Sequence, residues 1–114
     1  MAWKAVHRFA RISPGKVRPV VEMIRGRDVT EALSILKFTP NRAATMIRKV
    51  LTSAVANADE AEADVELLYV QQVFVDAAPT MRRWRRKDRG RTFPIRKRNS
   101  HLTVVVEEAR EAAG

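Results

Sequence analysis

Ten basic side chains lie within residues 82–98: Arg82, Arg83, Arg85, Arg86, Lys87, Arg89, Arg91, Arg96, Lys97 and Arg98. A single acid, Asp88, accompanies them, so this stretch carries the whole net charge of +9 of a 114-residue chain. The other residues balance to zero, although residues 1–49 are +8, residues 50–78 are −6 and residues 99–114 are −2. Guanidinium forks pair with phosphate oxygens in two-point fashion and ammonium groups act as point charges. The chemistry that this cluster can perform is therefore the binding of a polyanion. Trp84, Phe93 and Ile95 interleave the charges. The two aromatics either stack on unpaired bases, as in RNA recognition, or staple the segment together.

A second group of candidates surrounds Ser13-Pro14-Gly15-Lys16. A helix that starts there points unpaired N–H groups outward, with Lys16 and Arg18 within a turn, which makes either a phosphate site or an ordinary capped surface helix. Arg8, Arg11, Arg25 and Arg27 add to the positive field nearby, and Arg42, Arg48 and Lys49 decorate a later helix.

Catalytic chemistry has little to work with. His7 and His101 have no recognisable carboxylate or hydroxyl partners, and His101 beside Ser100 suits a structural role or an RNA contact better than a base. The carboxylates of residues 59–66 lack calcium-loop spacing. Four glycines include no phosphate-cradling loop, and the absence of cysteine removes disulfides, thiolate metal sites and thiol nucleophiles. No cofactor and no metal is expected. No apolar run approaches the ~18 residues that span a bilayer, and charges at Lys4 and Arg8 interrupt the place where an export signal has its apolar core. No membrane partner is expected.

The elements that must hold these groups follow from spacing. Residues 4–12 suit an edge strand. Ser13-Pro14 starts a helix with Val17, Val21 and Ile24 on one face and Gly26 at its end, and Pro19 predicts a distorted first turn. Asp28 with Glu31 has capping-box spacing ahead of the stripe Val29, Ala32, Leu33 and Leu36. Thr39-Pro40 repeats the cap-then-proline signal for a helix that runs to about Glu60 and buries Ala43, Ile47, Val50, Leu51, Ala54 and Ala58. Residues 59–66 are an acidic loop or a frayed helix end.

Residues 67–76 and 101–107 are rich in β-branched and aromatic side chains. Paired antiparallel about a turn at Asp88-Arg89, they set Val73 against Val104, Val75 against Leu102 and Trp84 against Phe93. Each arm beyond Pro79 then has about ten residues and extends about 30 Å. Such a two-stranded ribbon is marginal in water, and its like charges require a surrounding anion. The expected chain is one domain over 1–114, with a globular part at 1–78 and 99–114 and an extended β-hairpin at about 79–99.

Several blocks of residues resemble one family throughout. They are Arg11-Ile12-Ser13-Pro14-Gly15-Lys16-Val17-Arg18, Ile24-Arg25-Gly26, the run from Ala32 to Pro40, Ser53-Ala54-Val55-Ala56-Asn57-Ala58, Pro79-Thr80-Met81-Arg82-Arg83, Gly90-Arg91, and the run from Arg96 to Val105. In order and spacing the chain is similar to the bacterial large-subunit ribosomal protein L-twenty-two family.

That resemblance implies an α+β fold, with three helices packed on a three-stranded antiparallel sheet and a long protruding basic β-hairpin. It implies a structural, non-enzymatic role in the cytoplasmic ribosome, one copy in each. The protein would bind large-subunit ribosomal RNA, assist subunit assembly, touch neighbouring ribosomal proteins and line the nascent-polypeptide exit tunnel. By position, Arg11, Ser13, Lys16, Arg18 and Arg25 fall in the RNA-facing globular part. Met81, Arg82 and Arg83 begin the outgoing arm, and Trp84 beside them is a further RNA-binding candidate. Arg85, Arg86, Lys87, Asp88, Arg89, Gly90 and Arg91 form the tunnel-lining tip. Arg96, Lys97, Arg98, Ser100 and His101 lie on the returning arm. The chain departs from the family pattern at Gly15, Pro19, Arg86, Asp88 and Phe93-Pro94. An architectural DNA-binding protein with basic β-arms is the alternative that the charge pattern alone leaves open.

Overall fold

The computed structural model describes the backbone of residues 2–86 and 92–109, with side chains for that set outside 81–96. Strand β1 (Ala2–Ala10) leads into helices α1 (Pro14–Ile24), α2 (Val29–Phe38) and α3 (Arg42–Glu60). A short 3-10 turn at Val65–Leu67 precedes strands β2 (Leu68–Arg86) and β3 (Thr92–Glu108). All pairing is antiparallel in the order β1-β3-β2. This is the α+β arrangement expected, three helices on a three-stranded sheet.

Alternation along the strands decides which sheet face meets the helices. Leu102, Val104 and Val106 are fully buried, with Val70 and Val73 of β2 opposite the last two. Onto that face α1 brings Val17, Val20, Val21 and Ile24, α2 brings Val29, Ala32 and Leu36, and α3 brings Ile47, Val50, Leu51, Ala54 and Ala58. Leu33 packs at the edge of this core. Val20, one residue before Val21, joins the face as well. At 19 residues, α3 is about 28 Å long and lies along the sheet.

The helix ends follow local chemistry, with two departures from expectation. Pro14 takes the first position of α1, and the Lys16 N–H returns to the Ser13 carbonyl at 3.1 Å, a tightened first turn. Pro19 leaves the Gly15 carbonyl without its helical donor, yet α1 continues because four apolar side chains hold it down. Gly26, at φ 79°, turns the chain in the left-handed region, and its N–H reaches the Val70 carbonyl at 3.0 Å.

The expected Asp28 capping box does not form. The Asp28 side chain makes no cap bond, and the Glu31 side chain that would have closed the box pairs with Arg27 instead. The start of α3 is also two residues later than the Thr39-Pro40 signal. Thr39 instead closes α2, its hydroxyl donating to the Ile35 carbonyl at 2.7 Å, while Asn41 Oδ1 accepts from the Ala44 N–H at 2.7 Å and caps α3. Residues 59–66 split between the helix end, a left-handed turn at Glu62 and the 3-10 turn.

Register in the sheet core is as expected: Val73 opposes Val104 and Val75 opposes Leu102. Beyond Ala78↔Asn99 it shifts by one, to Met81↔Lys97. Trp84 consequently opposes Pro94 rather than Phe93, which corrects the expected pairing. Pro79 has no N–H for the ladder, so the outgoing strand inserts one residue there. Past Ala10↔Ser100 only β2 and β3 pair, continuing to Arg86↔Thr92 as a two-stranded arm. The molecule measures 74 × 25 × 19 Å along its principal axes. The expected turn at Asp88-Arg89, and with it Lys87, Gly90 and Arg91, lies outside the described residues.

Candidate nucleic-acid interface

The start of α1 and the root of the arm enclose a cleft of about 540 Å³. Pro14, Gly15 and Arg18 line it from α1, Ala77, Ala78 and Thr80 from β2, and Arg98 and Asn99 from β3. Two contacts explain why these distant segments meet. Ser100, fully buried, donates its hydroxyl to the Ile12 carbonyl at 2.6 Å and clamps the chain before α1 onto β3. Asn99 donates from Nδ2 to the Pro79 carbonyl at 3.2 Å, which braces the inserted residue of β2.

Arg18 and Arg98 thus face one space, although 80 positions separate them in the sequence. Among the described residues no acid lines the cleft, and α1 has none in its first turn. The partial positive charge of the helix start therefore adds to two guanidinium groups. A Cβ at Gly15 would meet nothing within 4 Å, so that wall is open. Asn99 Oδ1, in a residue only 5% exposed, has no hydrogen-bond partner among the described residues. The charge and open wall of this arrangement suit an oxyanion such as a backbone phosphate.

The arm adds charge in register. Arg82 stands opposite Arg96, and Lys97 lies opposite Met81. Like charges on facing positions destabilise a two-stranded ribbon unless an anion neutralises them. Arg83 opposes Ile95, Arg85 opposes Phe93 and Arg86 opposes Thr92. Among the described residues the two ion pairs are Arg25–Glu22 and Arg27–Glu31, both on the α1–α2 side.

The candidates therefore divide. Arg18 and Arg98 share the cleft, while Arg11 and Lys16 are exposed beside it. Arg25 instead ties the fold together, bonding Glu22 at 2.6 Å and the Val73 carbonyl at 3.0 Å. Ser100 faces inward as a clamp, and Ser13 is half-buried with no side-chain cap bond. His101 accepts the Phe9 N–H at Nδ1, 3.1 Å away, which orders the end of β1. Asn99 and Thr80 lie in the blocks that carry the family resemblance but are not among the candidate site residues of the sequence. Their position at the cleft depends on the inserted residue at Pro79, and Pro79 itself was the one visible sign of it.

The profile of the family described as "Ribosomal protein L22p/L17e" matches residues 5–107. The chain belongs to this family. It is 48% identical over 112 residues to the large ribosomal subunit protein uL22 of Halothermothrix orenii, covering 97% of this chain and 99% of that protein. It is 51% identical over 109 residues to the large ribosomal subunit protein uL22 of Desulfitobacterium hafniense strain Y51, covering 95% and 96%. The match therefore includes every element that builds the cleft and both strands of the arm.

Proposed function

We propose that this chain is a structural constituent of the large ribosomal subunit, without catalytic activity, and that it works in the cytoplasm as part of the ribosome. It binds large-subunit ribosomal RNA with two surfaces. The cleft between α1 and the arm root grips one backbone segment through Arg18, Arg98 and the helix start, flanked by Arg11 and Lys16. The arm, through Arg82, Arg83, Arg85, Arg86, Arg96 and Lys97 together with Lys87, Arg89 and Arg91, threads into folded RNA that neutralises its facing charges. Such a domain with a hairpin at about 79–99 holds separated RNA segments together, which assists subunit assembly. The hairpin tip, residues 85–91, lines the exit tunnel beside the nascent polypeptide, and the globular part meets neighbouring ribosomal proteins.

The observation that carries this reading is the convergence of Arg18 and Arg98, with no acid among the described lining residues, in a cleft at the foot of a like-charged ribbon. Titration of the protein against large-subunit ribosomal RNA, with duplex DNA as competitor and salt varied, tests it. Preference for the RNA, with affinity falling steeply as salt rises, is expected. Equal preference for duplex DNA would replace it with the DNA-binding alternative.

A further inference from the structure

One irregularity in β1 has no part in the cleft. His7 pairs with Leu102 and Ala10 pairs with Ser100, so Arg8 and Phe9 together oppose the single residue His101. Two residues against one make a β-bulge, which re-aims side chains. In an unbroken strand, Phe9 would alternate with Trp3 and Ala5 toward the helices. The bulge seats Ala10 there instead, at 1% exposure, and turns Phe9 out to 59% exposure on the opposite face.

Phe9 holds φ 57°, the left-handed region where bulges ordinarily use glycine. Glycine would satisfy the bulge and the seating of Ala10 equally well. The phenyl ring is therefore unexplained by the fold: its backbone is strained and its surface faces solvent. It is nevertheless held in place. The Phe9 N–H bonds His101 Nδ1 at 3.1 Å, and the two rings meet at 82° with centroids 4.8 Å apart. That perpendicular contact leaves flat ring surface uncovered.

Around the ring is a shallow cavity lined by Val6, Arg8, Phe9, Asp76, His101 and Thr103. Val6, Thr103 and Phe74 stand in one row across the three strands, and Val6 and Phe74 are 41% and 39% exposed. Asp76, paired with His101, puts a negative charge on the β2 side of the cavity and disfavours a phosphate there. Arg8 supplies the cation on the β1 side, with Arg11 following β1 in the chain. The ligand that fits has a flat, uncharged face for the ring and the apolar row, and its negative charge displaced toward Arg8. A nucleotide with its base unstacked has that form.

The geometry points to Phe9 as a stacking platform for one unpaired base of large-subunit ribosomal RNA, the nucleotide's phosphate lying toward Arg8. This rests on the RNA-binding reading above. It adds a contact on the sheet face away from the helices, on a residue that no basic motif marks.

The test uses the full chain, protein-free large-subunit ribosomal RNA as probe, and the variants Phe9→Ala, Phe9→Gly and Phe9→Trp. Removal of one base–aromatic stack should weaken binding about 5- to 150-fold in both Phe9→Ala and Phe9→Gly, with Phe9→Trp at or above the wild type. Phe9→Gly should melt no lower than Phe9→Ala, since it relieves the left-handed strain, so loss of binding cannot be assigned to unfolding. The salt dependence should stay as steep as in the wild type, because a stacked base displaces no counterion. Unchanged affinity in Phe9→Ala while wild type binds overturns the platform and leaves the RNA reading standing. Absence of binding by the wild type overturns both. Normal RNA affinity in Phe9→Ala with failure to enter assembled subunits would assign the ring to a protein neighbour and also overturn the proposal.

Discussion

Replacing Arg18 and Arg98 together with alanine should reduce RNA affinity through charge alone. Both line the cleft, and neither forms an ion pair among the described residues. Arg18 and Arg98 are exposed, so truncation leaves no cavity in the core. Surface changes of this kind usually alter stability by about 0.5 kcal/mol or less. Binding should respond differently. Each neutralised phosphate contributes about 0.7 to 0.9 to the slope of log affinity against log salt, so two lost contacts flatten that slope by about 1.4 to 1.8. The two titration lines should therefore diverge at low salt and approach one another at high salt. Filter binding to large-subunit ribosomal RNA across a salt series, with thermal unfolding in parallel, measures both quantities. Parallel lines, offset but equal in slope, would refute the reasoning, since they would mean that neither guanidinium displaces a counterion.

Four further outcomes are expected. Ser100→Ala should destabilise the fold by about 1–3 kcal/mol, because the buried Ile12 carbonyl loses its donor; an unchanged midpoint in denaturant would contradict the clamp. Asn41→Ala should cost about 1 kcal/mol by uncapping α3, and Thr39→Ala should not substitute for it as a capping loss, a difference that urea titration resolves. Deletion of residues 82–91 should preserve one cooperative thermal transition, since the buried hydrophobic core lies elsewhere; a broad melt would show that the arm stabilises the globule. Backbone amides of 82–86 and 92–97 should exchange faster than those of 101–106 in the isolated protein and slow on addition of RNA, because in the arm β2 and β3 pair only with each other.

The parts of the fold that were legible in the sequence are those governed by periodicity. Ala43, Ile47, Val50, Leu51, Ala54 and Ala58 mark one side of a helix by spacing alone, and all are buried. The antiparallel pairing of Val73 with Val104 followed from matched apolar runs. Features that depend on competition between partners were less legible. Glu31 satisfies capping-box spacing, yet Arg27 offers it a full charge one turn away, and the ion pair forms instead. Thr39 and Asn41 are both competent caps, but the Thr39 hydroxyl is engaged by the Ile35 carbonyl at the end of α2, and Asn41 caps α3.

The site shows the same division. A count of charges finds Arg18 and Arg98, but nothing in their spacing brings them together. Ser100 and Ile12 do so through one buried hydrogen bond, and the residue inserted near Pro79 sets how the arm leaves the sheet. Arg25 has the same chemistry as Arg18 in the sequence, and only its contacts with Glu22 and Val73 distinguish a brace from an arginine that faces the cleft. Phe9 was silent for a similar reason. A bulge is a property of two strands, and β1 alone carries no sign of it.

The most direct measurement is zero-length ultraviolet or chemical cross-linking of the chain within intact large subunits, followed by mapping of protein positions joined to RNA. Cross-links from the Arg18–Arg98 cleft and from the arm at 82–86 and 92–97 to ribosomal RNA, persisting through a high-salt wash, are the predicted result. A chain that washes off the subunits at high salt, or whose cross-links join the cleft and arm to protein alone, would contradict it.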